Sequence, residues 1–514
     1  MASFRTLDEL SPRGKRVLVR VDLNVPMQDG EISDASRIER VAATLTGLAD
    51  GGARVVVMSH FGRPRGQVTP SLSLAPLAEP LSRALGGRAV GFVSDCIGDD
   101  AEAAVAALGD GDILLLENLR FHAGEEKNDP AFAQALARLG DAYVGDAFSA
   151  AHRTHASVVG VADHLPAYAG RLMQSELEAL DAALENPKRP VAAVIGGAKV
   201  SSKLAVLGNL VGRVDMLIIG GGMANTFLHA QGIAVGKSLC EPDMADTARD
   251  IMARAEAASC RVILPSDAIT ATRFADGAPQ TVTAIDAVGE DAMILDIGPI
   301  SAAAMAEQLE QVATLVWNGP LGAFELDGFD GGTNVVARAA AELTRAGKLV
   351  SVAGGGDTVA ALVHADALEG FSYVSTAGGA FLEWLEGKPL PGVAALMAQP
   401  RLPDVTGTKT VIFHDLDEAR AALAAAQLNA TTVTLQTAPG AARYAGVGYL
   451  MAVIDLVGAD KDEAVIDCGE DADIAMAALR TGWRRLLFSG RGEVCAKLAQ
   501  IAEQQGARVT SPDQ

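Results

Sequence analysis

Short β-branched apolar runs alternate with longer Ala- and Leu-rich stretches of helical period along almost the whole chain. The runs at 16–21, 54–58, 112–116, 191–195, 216–219, 315–317 and 349–353 predict strands, and the stretches between them predict helices. Strands that alternate with helices in this way predict parallel sheets and an α/β architecture. In such sheets ligands bind beyond the carboxyl ends of the strands, so the chemistry is expected in the residues that follow each run.

The pattern also divides the chain. A helical stretch beginning near residue 171 is interrupted at 185–190 by ENPKRP, where two prolines and clustered charge stop a helix. A second break at 399–407, QPRLPDVTG, reads as a linker. Beyond it five more strand-like runs, at 410–414, 431–435, 463–467, 485–488 and 508–510, alternate with helices and predict a small α/β domain.

Composition narrows the possible partners. Over 514 residues the net charge is −22, which disfavours nucleic acid and anionic membrane. An anionic small substrate then needs a local basic pocket set against the global field. The five cysteines (96, 240, 260, 468 and 495) are scattered and never form a C-x-x-C pair, which argues against a disulfide framework or zinc knuckle and for a reducing compartment. The N-terminus shows no signal-peptide pattern, and apolar runs such as 447–457 are too short and polar to span a bilayer. A soluble, cytoplasmic protein is the expectation.

The strand ends carry two different chemistries. In the first half they are basic and polar: RVDLNVP places Arg20, Asp22 and Asn24, SHFGRP places His60 and Arg63, ENLRFH places Arg120, and AHRTHAS places His152, Arg153 and His155. Arg37 opens a helical stretch shortly after the first tip. Guanidinium forks match phosphate and carboxylate oxygens, so their convergence suits a small multiply charged anion. A single arginine beyond a strand is more often salt-bridged, and Arg20 reads equally well as a support for Asp22. In the second half the strand ends are glycine-rich: VIGGAKVSSKL, IIGGGMANTFL, SVAGGGDTVAAL and VSTAGGAFLEWL. Glycine loops that enter a helix present free N–H groups to phosphate, Lys199 and Lys203 add mobile charge, and Asp357 offers a hard oxygen to Mg²⁺. Neither a G-x-x-x-x-G-K-[ST] loop nor a complete G-x-G-x-x-G follows the early strands.

Taken in order, RVDLNVP, SHFGRP, ENLRFH, AHRTHAS, GGAKVSSKL, GGGMANTF, WNGPLGAFE, GGGDT and EGKPLPGV resemble the phosphoglycerate kinase family over roughly residues 5–396. The resemblance implies two parallel-sheet lobes: a substrate-binding lobe at 1–170 and a nucleotide-binding lobe at 187–380, joined by a hinge helix at 171–186. A peptide at 381–400 would return to the first lobe, leaving 401–514 as an added α/β domain of no recognised family. It implies a monomeric kinase core and a reversible transfer between ATP and the carboxylate of 3-phosphoglycerate, giving ADP and 1,3-bisphosphoglycerate, with Mg²⁺. Carried over by motif, Asp22, Leu23, Asn24, Arg37, His60, Phe61, Gly62, Arg63, Arg120 and Arg153 would hold the substrate. Lys203, Asn318, Pro320, Glu325, Gly355, Gly356, Asp357 and Thr358 would meet the nucleotide, with Asp357 nearest the metal and Arg37, Lys199 and Lys203 catalytic. Three positions depart from the family pattern: Ser202 where many members have Asp, and Ala377 and Phe381 in STAGGAF.

The chemistry fits the absence of a base motif, because a carboxylate with a pKa near ~4 is already ionised at neutral pH. Positioning and charge stabilisation are what remain for the protein to supply. In the tail, Cys468 reads as a structural thiol, 437–457 as a packing helix more than a ligand loop, and Arg491 as a weak anion contact. A tail that binds a partner or metabolite, and a kinase-like scaffold that works by binding alone, are the rival functional classes.

Overall fold

The computed structural model describes residues 4–28, 31–375, 377–397, 410–428, 433–459 and 464–511. The chain divides into two compact units, Met1–Met397 and Ala398–Gln514. The linker read at 399–407 lies outside the described residues.

The first unit holds two six-stranded sheets. In the first, the strands run in the order Val90–Val93, Ile113–Leu116, Arg54–Met58, Arg16–Arg20, Ala142–Gly145, Ala167–Ala169, all parallel. From Arg16–Arg20 the chain builds one side of the sheet, with Arg54–Met58, the edge strand Val90–Val93 and then Ile113–Leu116 between them, before it crosses to Ala142–Gly145 on the other side. That reversal opens a crevice at the carboxyl ends of these two strands. The second sheet has the order Arg261–Ile263, Met216–Ile219, Val191–Ile195, Thr314–Asn318, Val350–Gly354, Tyr373–Ser375, again all parallel. Its reversal falls between Val191–Ile195 and Thr314–Asn318. Both of these central strands are buried at every residue, because helices cover both faces.

The second lobe is not purely parallel. A three-stranded antiparallel sheet, with Asp267–Ala271 between Thr281–Ala284 and Met293–Ile297, is inserted before Thr314–Asn318. Sequence periodicity did not predict it: Thr281–Ala284 has no buried residue and so no apolar face to betray it.

The lobes are linked by the helix Arg171–Leu180, which continues as a π turn over Asp181–Glu185. Its first turn rests on Asp146, whose Oδ1 accepts from the Leu172 and Met173 amides at 2.9 and 3.1 Å. The helix Pro391–Met397 lies against the first lobe: the Gly392 amide donates to Ala151 O at 2.8 Å, and Leu396 is buried over Gly145.

The second unit is a five-stranded parallel sheet in simple sequential order: Thr410–Phe413, Thr434–Thr437, Val465–Asp467, Arg485–Leu487, Arg508–Thr510. Its helices Leu416–Leu428, Val447–Val457, Ala472–Thr481 and Gly492–Gln504 pack in a row, each against the next. Right-handed crossovers that always advance in one direction place every helix on the same face. Val411, Phe413, Leu435, Ile466, Leu486 and Val509 are buried there with Trp483. The alternate residues Ile412 and Arg508 are exposed, and Gln436, Val465 and Arg485 are half-buried. Cys468 is buried, and the segment read as a packing helix forms the helices Ala441–Ala445 and Val447–Val457.

Candidate active site

The crevice of the first sheet collects the basic residues. Arg37, from the first turn of the helix Ser36–Asp50, donates from Nη1 to Asp22 Oδ2 at 2.8 Å and to Asn24 O at 3.0 Å. Asp22 Oδ2 also accepts from Ser149, beyond Ala142–Gly145, so it ties the two sides of the crevice together. Asn24 Oδ1 takes the Gly62 amide at 2.8 Å, and Leu23, fully buried, donates its amide to Ser59. Phe61 is buried with its amide on Asn118 Oδ1, and Arg120 reaches Gly62 O at 2.7 Å. The SHFGRP and ENLRFH loops are thus cross-braced. Arg63 is exposed and Arg153 is half-buried, its Nε on the neighbouring His152 ring.

Arg20 does not support Asp22. Its Nη2 contacts His60 Nδ1 at 3.1 Å, its Nε donates to Ser157 Oγ at 2.9 Å, and its Nη1 bonds Val21 O. Arg37 holds Asp22 instead. Ser157 is in turn fixed by the fully buried Glu125. This Arg20–Ser157–Glu125 chain spans 137 residues of sequence, and no local motif announces it.

These cations are under-neutralised. Arg120 has Glu126 at 3.2 Å, yet burial, and then Arg153, lower its pKa to about 10. Burial first, then the Arg120, Arg20 and Arg153 charges, push His155 down to about 4. His60 is pushed well down by burial, Arg20, Arg120 and Arg153. Both histidines are therefore neutral at pH 7 and three arginines share one region, an arrangement that an anion relieves.

The reversal point of the second sheet holds Lys203. Its Nζ donates to Gly196 O at 2.8 Å, Asn318 O at 3.1 Å and Asn318 Oδ1. Every one of these acceptors is formally neutral. Burial lowers the pKa of Lys203 to about 8, with Asp357 opposing that shift. Asn318 Nδ2 reaches across to Gly354 O at 2.7 Å, and Thr358 Oγ1 accepts from the Gly319 amide at 2.7 Å. Gly319 needs to be glycine: its φ is +102°, and a Cβ there would lie 2.5 Å from Gly196 O and 3.0 Å from Lys203 Nζ. Gly355, at φ +103°, leads into the helix Gly356–His364, where Asp357 is exposed in the first turn. Lys199 is exposed in the loop Gly196–Ser202, and Ser202 Oγ folds back on Lys199 O at 2.8 Å.

Beside Lys203 lies a cleft of about 460 Å³ bounded by Gly197, Gly221, Gly222, Pro320, Glu325 and Asp357. Its far wall is Phe274, from the loop after Asp267–Ala271, and residues 293–295 of the inserted antiparallel sheet, which periodicity did not predict. That volume is within the range of small-molecule sites. Phe381, at a position departing from the family pattern, is fully buried under Gly354, where a Cβ would approach its ring to 2.5 Å. It props the loop from below.

A family model for phosphoglycerate kinase matches residues 7–388. The chain belongs to the phosphoglycerate kinase family. It is 62% identical over 400 residues to a phosphoglycerate kinase of Methylorubrum extorquens, covering 78% of this chain and all of that protein. The enzyme of Granulibacter bethesdensis is also 62% identical, over 396 residues, 77% of this chain and all of its own length. Among solved structures, the Coxiella burnetii phosphoglycerate kinase matches with TM-score 0.72 and 44% identity, and the Pyrococcus horikoshii OT3 enzyme with 0.64 and 32%. Each covers 77% of this chain, and 99% and 98% of those chains are matched. The chain is thus a kinase of the class that transfers phosphate to a carboxylate, with a C-terminal extension outside the family. Among the described residues no helix is long and apolar enough to cross a membrane.

Proposed function

We propose that the chain transfers the γ-phosphoryl group of Mg-ATP to the carboxylate of 3-phosphoglycerate, and the reverse, using the residues of both reversal points. The observation that carries this assignment of roles is Lys203, a half-buried ammonium whose hydrogen bonds all go to neutral oxygens. Its charge is positioned but not cancelled, so it remains available to the oxygens of a transferring group.

In this reading Arg20, His60, Arg120 and Arg153 surround the phosphate end of the substrate, with Arg63 closing over it and Asp22, Asn24 and the Gly62 loop fixing its orientation. Arg37 faces the carboxylate. The nucleotide occupies the 460 Å³ cleft: glycine loops beneath the phosphates, Pro320 and Glu325 along the nucleoside, Gly355 to Thr358 at the phosphate end. Asp357, an exposed carboxylate beside the glycine loops, suits a hard cation. Mg²⁺ bound there would offset charge on the nucleotide phosphates. The nucleophile is already ionised, so no side chain is asked to remove a proton. Arg37 and Lys203 come from different lobes, with Lys199 assisting, and catalysis requires the lobes to bring them to one phosphoryl group and exclude water.

One chain supplies both halves of the site, which supports a monomeric core. The scatter of the cysteines supports a reducing, cytoplasmic location. We read the 398–514 unit as one that binds a partner protein or metabolite. The support is its sheet face with Ile412 and Arg508 exposed, unusual for a parallel sheet. The test of the site is a double comparison. Lys203→Ala is expected to abolish most turnover, and Arg153→Ala is expected to weaken 3-phosphoglycerate alone. Retained turnover in the first, or an unchanged KM in the second, removes those roles.

A further inference from the structure

Outside the kinase site, the carboxyl edge of the first sheet brings together three side chains that no part of the phosphoryl-transfer reading uses. The strands Val90–Val93 and Ile113–Leu116 are paired in parallel, so the loops that follow them emerge side by side. One loop supplies Asp95 and Cys96, and the other supplies His122, just beyond the turn Leu119–Phe121. One ligand atom from each of Asp95, Cys96 and His122 lies within 4.8 Å of the other two.

The arrangement is more specific than an acidic cluster. His122 Nε2 is 2.7 Å from Asp95 Oδ1, and its ring is stacked on Phe132 at a centroid distance of 5.3 Å, which fixes the plane of the imidazole. The Cys96 amide donates to the same Asp95 Oδ1 at 2.6 Å, which holds the carboxylate against the loop. Cys96 is buried, whereas the His122 and Asp95 side chains are 32% and 44% exposed. The thiol is the floor of the cluster, and the imidazole and carboxylate form its solvent-facing mouth. An Asp–His bond alone would fasten the two loops. It gives no reason for a thiol to sit within reach of both.

We propose that Asp95, Cys96 and His122 form a binding site for a divalent transition metal of the zinc class. Sulfur, imidazole nitrogen and carboxylate oxygen together make a borderline-soft set that suits Zn²⁺ or Co²⁺ and is poorly matched to Mg²⁺, which requires oxygen ligands. Metal bonds of about 2.0–2.3 Å in a tetrahedron put ligand atoms roughly 3.3–3.8 Å apart. The cluster therefore closes by small rotations of the two exposed side chains, with water as fourth ligand. On binding, the Cys96 S–H bond breaks, its proton leaves to solvent, and the sulfur electron pair forms the bond to the metal. The ion also displaces the Asp95–His122 hydrogen bond and bridges the two loops, one of which carries Arg120 two residues before His122.

The test is a Co²⁺ titration of the full-length, reduced, metal-free protein followed by absorption. The site predicts one equivalent of Co²⁺ bound, with a thiolate-to-metal charge-transfer band and the visible bands of tetrahedral cobalt, both bleached by one equivalent of Zn²⁺. Cys96→Ser removes the charge-transfer band, and His122→Gln weakens binding by about tenfold or more. Cys240→Ser, at a half-buried thiol outside the cluster, leaves the band intact. Kinase turnover without added transition metal reports whether each variant is folded. Zn²⁺ also raises the melting midpoint of the parent protein but not that of His122→Gln. No charge-transfer band in the parent overturns the site. So does a band that survives Cys96→Ser or disappears in Cys240→Ser. If Cys96→Ser does not fold, undiminished Co²⁺ affinity in His122→Gln overturns it.

Discussion

At the scale of single residues, Lys203 and Arg153 make different kinds of prediction. Lys203 touches no carboxylate, so Lys203→Ala removes charge from the transferring group while leaving the glycine loops in place. Its kcat is expected to fall by two or more orders of magnitude, with nucleotide affinity changed much less. Steady-state kinetics beside a nucleotide-binding titration separate the two, and equal losses in both contradict the role. Arg153→Ala is expected to raise the KM for 3-phosphoglycerate by about tenfold or more at little cost in nucleotide KM. The pH dependence has a definite sign. Burial lowers Lys203 to about 8, so the free enzyme loses this charge as pH rises through 8. The value of kcat/KM for the nucleotide is expected to fall above that pH with a single ionisation, and a flat profile to pH 9.5 would show that this lysine does not set the rate. Most of these residues were legible in the sequence because charged side chains and glycines stand directly after apolar runs. For Arg20 the sequence left open an anion contact and a support for Asp22, and the second does not hold, because its partners His60 and Ser157 lie 40 and 137 residues away and only the folded sheet brings them together.

At the scale of elements, the start of the helix Arg171–Leu180 shows what a buried cap demands. Asp146 Oδ1 accepts two amides, and the Thr44 hydroxyl also offers the buried carboxylate a hydrogen bond. Desolvation raises its pKa to about 7 despite those bonds. A carboxyl whose folded pKa lies above its unfolded value adds stability that is complete below about pH 4 and is lost as pH rises through 7. Asp146→Asn keeps the accepting oxygen and cannot ionise. It is therefore expected to be more stable than the parent at pH 8, by up to a few kcal/mol, and to flatten the decline between pH 4 and 7. Urea unfolding at several pH values checks this, and a variant less stable at pH 8 contradicts it. Elements were easiest to predict where both faces are buried, as in Val191–Ile195, since such strands are unbroken apolar runs. The inserted antiparallel sheet escaped for the opposite reason. Thr281–Ala284 stands clear of the core, yet its sheet supplies a wall of the nucleotide cleft.

At the scale of the whole molecule, the family accounts for residues 7–388 and leaves a second unit with its own sheet and core. The Methylorubrum extorquens relative is matched over its full length by the first part of this chain, so that part is expected to fold and work alone. A protein ending at Met397 is predicted to keep kcat within about twofold of the full chain. A larger loss would make the second unit part of the catalytic machine. The added α/β domain was legible from the alternation of apolar runs and helical stretches, whereas the two-lobe plan came from the family resemblance together with the break at 185–190. The single-sided packing of the second unit was not, because helix placement depends on strand order, which periodicity does not reveal. The most direct test of the phosphoryl-transfer reading is turnover by the folded full-length protein supplied with Mg-ATP and 3-phosphoglycerate, with the acyl phosphate product trapped by a coupled reduction. Sustained turnover that requires both substrates, and that Lys203→Ala abolishes, is the predicted result. A folded protein that binds nucleotide and produces no acyl phosphate would contradict it.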